Sequence, residues 1–198
     1  VHGPGYFHMV NKPVTRLADL QGLKIRAPTR QTNKLIGILG ATPVGMPVPQ
    51  VPEALAKGVI DGTIVPYEIV PAIKANELTR FHSETDPLQP SIYTTTFLFA
   101  MNKARYEGLS AEQRAVLDAN SGVELSGWIG KVFTEADEVG RSTIDADSIN
   151  VIGQTELKEW QKLSQPLFED WVQEMNQRGA NGDALLDSAR KLTRKYTK

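Results

Sequence analysis

The sequence contains no cysteine. This excludes a disulfide framework, a thiolate metal site and a cysteine nucleophile, and it leaves the compartment open. No run of about eighteen apolar residues occurs, so no stretch reads as a membrane-spanning helix. The opening Val1-His2-Gly3-Pro4 lacks the pattern of a charged segment followed by an apolar one. No sign of charge prevails either. With 22 basic against 23 acidic residues, no basic face advertises nucleic acid or an anionic membrane. Catalytic signatures are equally scarce: there is no G-x-S-x-G elbow, no phosphate loop, and only His2, His8 and His82 as candidate bases. A length of 198 residues nevertheless suffices for a substantial core, in one large domain or two small ones.

The most ordered pattern lies between Gly22 and Glu68. Three β-type runs, 23–26, 42–46 and 62–66, alternate with two helix-length segments, 32–39 and 50–57, each closed by a glycine. This β-α-β-α-β unit predicts a parallel sheet wound with helices. The first strand ends in Arg26, followed by Ala27-Pro28-Thr29. Open parallel sheets bind ligands beyond the carboxyl ends of their strands, so Arg26 stands where a ligand would lie. Its planar fork can give a carboxylate two parallel charge-assisted hydrogen bonds. A surface ion pair with one of the acidic residues is the plainer alternative.

Three phrases in this region, DLQGLKIRAPT, GATPVGM and ALAKGVIDG, follow one another as a D-L-x-G-L-K-I-R run, a G-A-x-P-x-x-M turn and an A-L-x-x-G-x-x-D-G helix and strand. In this the chain resembles the solute-binding subunit of tripartite ATP-independent periplasmic (TRAP) transporters, the DctP-like family. The resemblance implies an α/β, periplasmic-binding-protein-like fold, with two lobes of mixed sheets and a long connecting helix. It begins in mid-family and without an initiator methionine, so the chain is expected to be a fragment matching the C-terminal two-thirds, its N-terminal part missing. Residues 1–90 are then a second-lobe β-α-β ligand-binding unit. Residues 91–148 carry a hinge strand, returning first-lobe elements and the long spanning helix. Residues 149–198 carry a C-terminal strand and helices packing back on the second lobe.

Outside the central unit, residues 1–14 read as a loop and an extended segment, and 16–20 as a short helix capped by Thr15. Residues 67–78 read as a helix with Pro71 in an early turn. Residues 82–90, HSETDPLQP, read as loop, and their His82, Glu84 and Asp86 as solvated rather than metal-ligating. Residues 91–103, SIYTTTFLFAMNK, form the strongest strand candidate. Ser110 opens a capping box for a helix through Ala119, and a long helix is expected over 123–145. A strand at 150–153, a helix over 156–176 with a break near Pro166, and a basic amphipathic helix over 183–196 complete the chain.

The resemblance also implies a site. Arg26 pairs with the ligand's carboxylate, and further contacts come from Thr29, Val48, Val65 and, on the crossing strand, Thr94 and Thr96. Tyr67 and Glu68 follow the same strand as Val65 and join the lining. A second cation of the family falls near Tyr6; neither arginine nor lysine precedes Lys12, and His8 could supply only one hydrogen bond. Val48 and Val65 stand where sugar-acid binders commonly carry Phe and Asn, and without the amide and the second cation a polyol or a second carboxylate would be left unpaired. The expected ligand is a small monocarboxylate with an apolar or aromatic tail, delivered by a periplasmic protein to integral membrane subunits. Catalytic residues, metal and cofactor are not expected, nor are nucleic acid and direct membrane insertion. A ligand-sensing domain for a signalling partner and a small α/β enzyme are the alternatives.

Overall fold

A computed structural model describes residues 1–86 and 88–196. The chain opens with strand β1 (Tyr6–Met9) and a 3-10 turn at Leu17–Leu20, then runs β2 (Lys24–Arg26), α1 (Arg30–Ile38), β3 (Thr42–Val44), α2 (Val51–Ala56) and β4 (Gly62–Val65). This is the β-α-β-α-β unit read from the sequence, its element ends shifted by at most two residues. Gly40 and Gly58 close the two helices at φ of 97° and 67°, a backbone region that side chains disfavour. A 3-10 turn (Tyr67–Ile69), α3 (Ala75–Leu78) and β5 (Phe81–Thr85) follow. After an extended stretch come α4 (Lys103–Glu107), α5 (Ala111–Ala119) and the long α6 (Gly122–Ser142). The chain finishes with β6 (Ile149–Ile152), α7 (Gln154–Leu163), α8 (Gln165–Gln177) and α9 (Gly182–Tyr196).

All six strands join one sheet in the order β3-β2-β4-β1-β5-β6. The pairs β2/β3, β2/β4 and β5/β6 are parallel. β1 enters antiparallel between β4 and β5, setting Tyr6 against Val65 and Phe7 against Ser83, so the sheet is mixed rather than wholly parallel. Alternation along the strands divides the interior into two layers. Phe7, Met9, Ile25 and Ile64 pack with Ile36 and Leu39 of α1 and with Leu157 and Trp160 of α7. On the other side Val65 and Tyr67 pack with Val51, Leu55, Val70, Ile73 and Ile144. Burying each such aliphatic side chain contributes about 1.5–3 kcal/mol, which fixes the register. Because Ile25 is committed to the first layer, Arg26 is turned to the second.

Three expectations are corrected. Residues 81–85 form β5, not loop: the polar sequence HSET is buried because its groups are paired, Ser83 Oγ accepting from Val14 N–H at 3.1 Å and His82 bonding His8. Residues 67–78 do not make one helix; the chain passes through a left-handed Lys74 (φ 53°) and starts again at α3. Residues 91–102 contain no strand. Only the start of that segment is held, by Gly5 N–H to Tyr93 C=O (3.0 Å) and His2 N–H to Thr95 C=O (3.4 Å). Beyond it, Phe97, Leu98 and Phe99 are 60%, 90% and 95% exposed, since no neighbouring strand lies there to complete a ladder. β propensity alone does not make a sheet. The predicted helix with a break near Pro166 is resolved into α7 and α8, and the Ser110 capping box is formed with Gln113.

Candidate functional site

Parallel β2 and β4 end at the same edge of the sheet, and β1, being antiparallel, begins there. Two cavities lie along this edge, side by side. The first, of about 460 Å³, is lined by Arg26, Thr29, Val48, Val65, Glu68, Ile69, Tyr93 and Phe97, among others. The second, of about 320 Å³, is lined by Tyr6, Tyr67, Glu84, Asp137, Glu138 and Arg141 beside other residues. Between them runs the chain after β4. Glu68 faces the first cavity and its predecessor Tyr67 the second.

In the first cavity Arg26 is only 3% exposed. Its Nε and Nη2 both donate to the Met46 carbonyl at 3.2 Å, whereas Nη1 is buried without a partner. No carboxylate pairs with it among the described residues. Burial lowers its pKa from the ordinary arginine value, and the Tyr93 hydroxyl opposes that shift. A guanidinium stays protonated even so, so a buried positive charge is left without a counter-ion. Around it Val48, Val65, Ile69 and Phe97 are apolar. Thr29 caps α1, its hydroxyl accepting from Thr32 N–H.

Glu68 is the other free polar group. Its Oε2 is buried without a partner, while its backbone N–H donates to Asp137 Oδ1 at 3.0 Å. Burial, and next the nearby Asp137, push its carboxyl up to about 7. Tyr93 donates its hydroxyl to the Ile64 carbonyl at 3.1 Å, and His2 holds the Gly3 carbonyl with Nδ1 and sets its ring edge-on to Tyr93.

In the second cavity the arginine is answered. Arg141 Nε bonds Glu84 Oε1 at 2.8 Å, and the Tyr67 hydroxyl donates to the same oxygen at 2.7 Å. Within the sheet, on β1 and β5, lies a buried pair, His8 Nδ1 to His82 Nδ1 at 2.7 Å. His8 Nε2 contacts the Val65 carbonyl at 3.2 Å, and a carbonyl only accepts. His8 is therefore protonated on Nε2, and His82 Nδ1–H donates to His8 Nδ1. Burial holds both rings neutral, with His8 lowered to about 3 and His82 to about 4.

Of the ten residues singled out from the sequence, Arg26, Thr29, Val48, Val65 and Glu68 line one cavity. Thr94 and Thr96 face a neighbouring groove of about 780 Å³ between α1, α8 and α9, to which Thr29 also contributes. The structure does not bring the remaining three to Arg26. Tyr6 and Tyr67 line the second cavity, Tyr6 because β1 alternates and Tyr67 because its ring joins the apolar layer. His8 is fully buried within the sheet, its hydrogen bonds spent on His82 and Val65. Tyr93, Thr95, Phe97, Ile69 and His2 were missed. Period-two reading of the 91–103 segment, taking the odd positions with Tyr93, would have found Tyr93, Thr95 and Phe97 in place of Thr94 and Thr96.

The family model for DctP, bacterial extracellular solute-binding protein, family 7, matches residues 2–174. Among solved structures, a TRAP solute-binding protein from Rhodoferax ferrireducens T118 in complex with copurified benzoate is 48% identical, with a TM-score of 0.91. It is matched over 98% of this chain and 61% of its own. A marine metagenome TRAP solute-binding protein specific for aromatic acid ligands, in complex with metahydroxyphenylacetate, is 41% identical (TM-score 0.89; 100% and 62%). The 2,3-diketo-L-gulonate-binding periplasmic protein YiaO of Escherichia coli K12 is 32% identical over 62% of this chain and 36% of its own. The chain thus spans about half the length, or less, of the curated relatives it matches.

Proposed function

The chain belongs to the DctP family of bacterial extracellular solute-binding proteins, family 7, and from that premise we propose that it captures a small monocarboxylate with an aromatic or apolar tail for a TRAP transporter. One observation carries this reading: a buried guanidinium with an unpartnered Nη1 and no counter-ion among the described residues, set in an otherwise largely apolar cavity. Leaving such a charge unpaired costs several kcal/mol, which a bound carboxylate recovers. The cavity volume falls within the range of small-molecule sites, about 300–1,000 Å³. Val48 and Val65 offer no hydrogen bond to a sugar hydroxyl, which disfavours uronates. Benzoate and metahydroxyphenylacetate in the two solved relatives agree with an aromatic acid.

Binding proceeds without covalent chemistry. Arg26 holds the carboxylate, Val48, Val65 and Ile69 take the tail, and closure of the other lobe over the cavity excludes water and strengthens the ion pair. Residues 91–148 act as the hinge and spanning region between the lobes. Release is to integral membrane subunits from the periplasmic side. The reading is tested by calorimetry and thermal shift on the full-length gene product with benzoates, arylacetates, dicarboxylates and uronates. A ligand at a hundred times its Kd adds about 2.7 kcal/mol to stability, a shift of several degrees. Stabilisation by aromatic monocarboxylates supports the reading, whereas a preference for dicarboxylates or uronates overturns it.

A further inference from the structure

Given an aromatic monocarboxylate on Arg26, we propose that Glu68 is the specificity-determining residue of this cavity and selects a ligand whose ring carries a hydroxyl group. The inference deepens the function proposed above and rests on it. Two residues that line this cavity each hold a buried polar atom without a partner, Arg26 Nη1 and Glu68 Oε2. They stand at different levels. Arg26 is in register with Thr63 on the neighbouring parallel strand, and Glu68 lies five positions further along that chain, past the end of β4. Val65, between them, is about 7 Å beyond Thr63 at the strand rise of about 3.3 Å per residue. The space from one polar atom to the other is therefore walled by the apolar Val65 and Ile69, and it suits an aromatic ring.

Of the other polar side chains that line the cavity, Tyr93 donates to Ile64, Thr29 is bonded to Thr32 and His2 uses Nδ1 on Gly3; neither His2 Nε2 nor the Thr95 hydroxyl is a buried atom left without a partner. Asp137, approaching from α6, accepts from the backbone N–H of Glu68, and Glu68 Oε2 is left without a partner. A buried acceptor atom without a partner matches a hydroxyl, which has one hydrogen to give. An ammonium group would bring three donors to the same place, and the apolar lining could not satisfy the other two. A second carboxylate would meet Glu68 and Asp137 as like charges. Since burial and Asp137 raise Glu68 to about 7, the residue meets the hydroxyl as acceptor when ionised and as donor when protonated. Either state makes one hydrogen bond.

The test is calorimetric titration of the full-length gene product with benzoate, the three hydroxybenzoates and the three methylbenzoates, each methyl being an isostere that cannot hydrogen-bond. The wild type is expected to bind its best hydroxybenzoate at least tenfold more tightly than the matching methylbenzoate. Glu68→Leu should erase that ratio, and Glu68→Gln should keep most of it. Melting curves of both variants verify that they fold. A hydroxyl preference that survives Glu68→Leu, or a wild type without one, overturns the proposal while leaving Arg26 as the carboxylate anchor. Failure of every aromatic carboxylate to bind the wild type overturns the functional reading as well.

Discussion

The two cavities at the carboxyl edge each contain an arginine, and the contrast between them identifies the candidate binding site. Arg141 is exposed and answered by Glu84, which also takes the Tyr67 hydroxyl. Arg26 is buried and has only the Met46 carbonyl. A cation that is already neutralised needs nothing from solution; one that folding has left uncompensated needs an anion. Partner balance, not the presence of arginine, separates a structural cavity from a receptive one.

The strongest challenge to this contrast is to remove each arginine in turn. Arg26→Ala should weaken carboxylate binding by about 2–5 kcal/mol, the range for truncating one member of a buried charged pair. Arg141→Ala should leave affinity within threefold; equal losses in calorimetry would erase the distinction. Next in size is the response of the buried histidine pair to acid. His8 and His82 have folded pKa values of about 3 and 4, below the ordinary 6.5. Their contribution is complete above about pH 6.5 and is lost as pH falls toward those values, at about 1.4 kcal/mol per pH unit for each ring. Glu68, raised to about 7, works in the opposite sense, its contribution falling as pH rises from about 4.5 to 7. Urea denaturation should find the protein a few kcal/mol less stable at pH 4 than at pH 7, and His82→Asn should flatten that slope.

A smaller effect is expected where α6 meets the partition between the cavities. A Cβ on Gly140 would overlap the backbone carbonyl of Tyr67, so Gly140→Ala should cost about 1–3 kcal/mol in thermal unfolding. The smallest is Tyr67→Phe, which removes one hydrogen bond to Glu84 for about 1 kcal/mol of stability. Ligand affinity should not change, because Tyr67 belongs to the second cavity. A selective loss of affinity in Tyr67→Phe would join the two sites.

The placement of Arg26 at a strand end was legible because it follows from short-range pattern: the strand, its end and the glycine-closed helices are all local, while its part as carboxylate anchor was read from the family resemblance. Glu68 was named, together with Tyr67, for following the strand of Val65, and only Glu68 lines the cavity with Arg26. What the sequence concealed depends on distant partners. The polar run HSET reads as loop until His8, 74 residues away, is known to pair with His82. The insertion of β1 between β4 and β5 is a long-range event with no local mark, and it is what carries Tyr6 to the second cavity and buries His8. The reverse error occurred at residues 91–103, where high β propensity predicts a strand that has nothing to pair with.

That unpaired stretch has a practical consequence. Residues 96–101, Thr-Phe-Leu-Phe-Ala-Met, form an uncharged, proline-free window outside any strand, with Leu98 and Phe99 almost fully exposed. Such windows seed cross-β assembly between molecules. The protein should therefore aggregate at concentrations where Leu98→Lys stays dispersed, and light scattering during refolding would follow the difference.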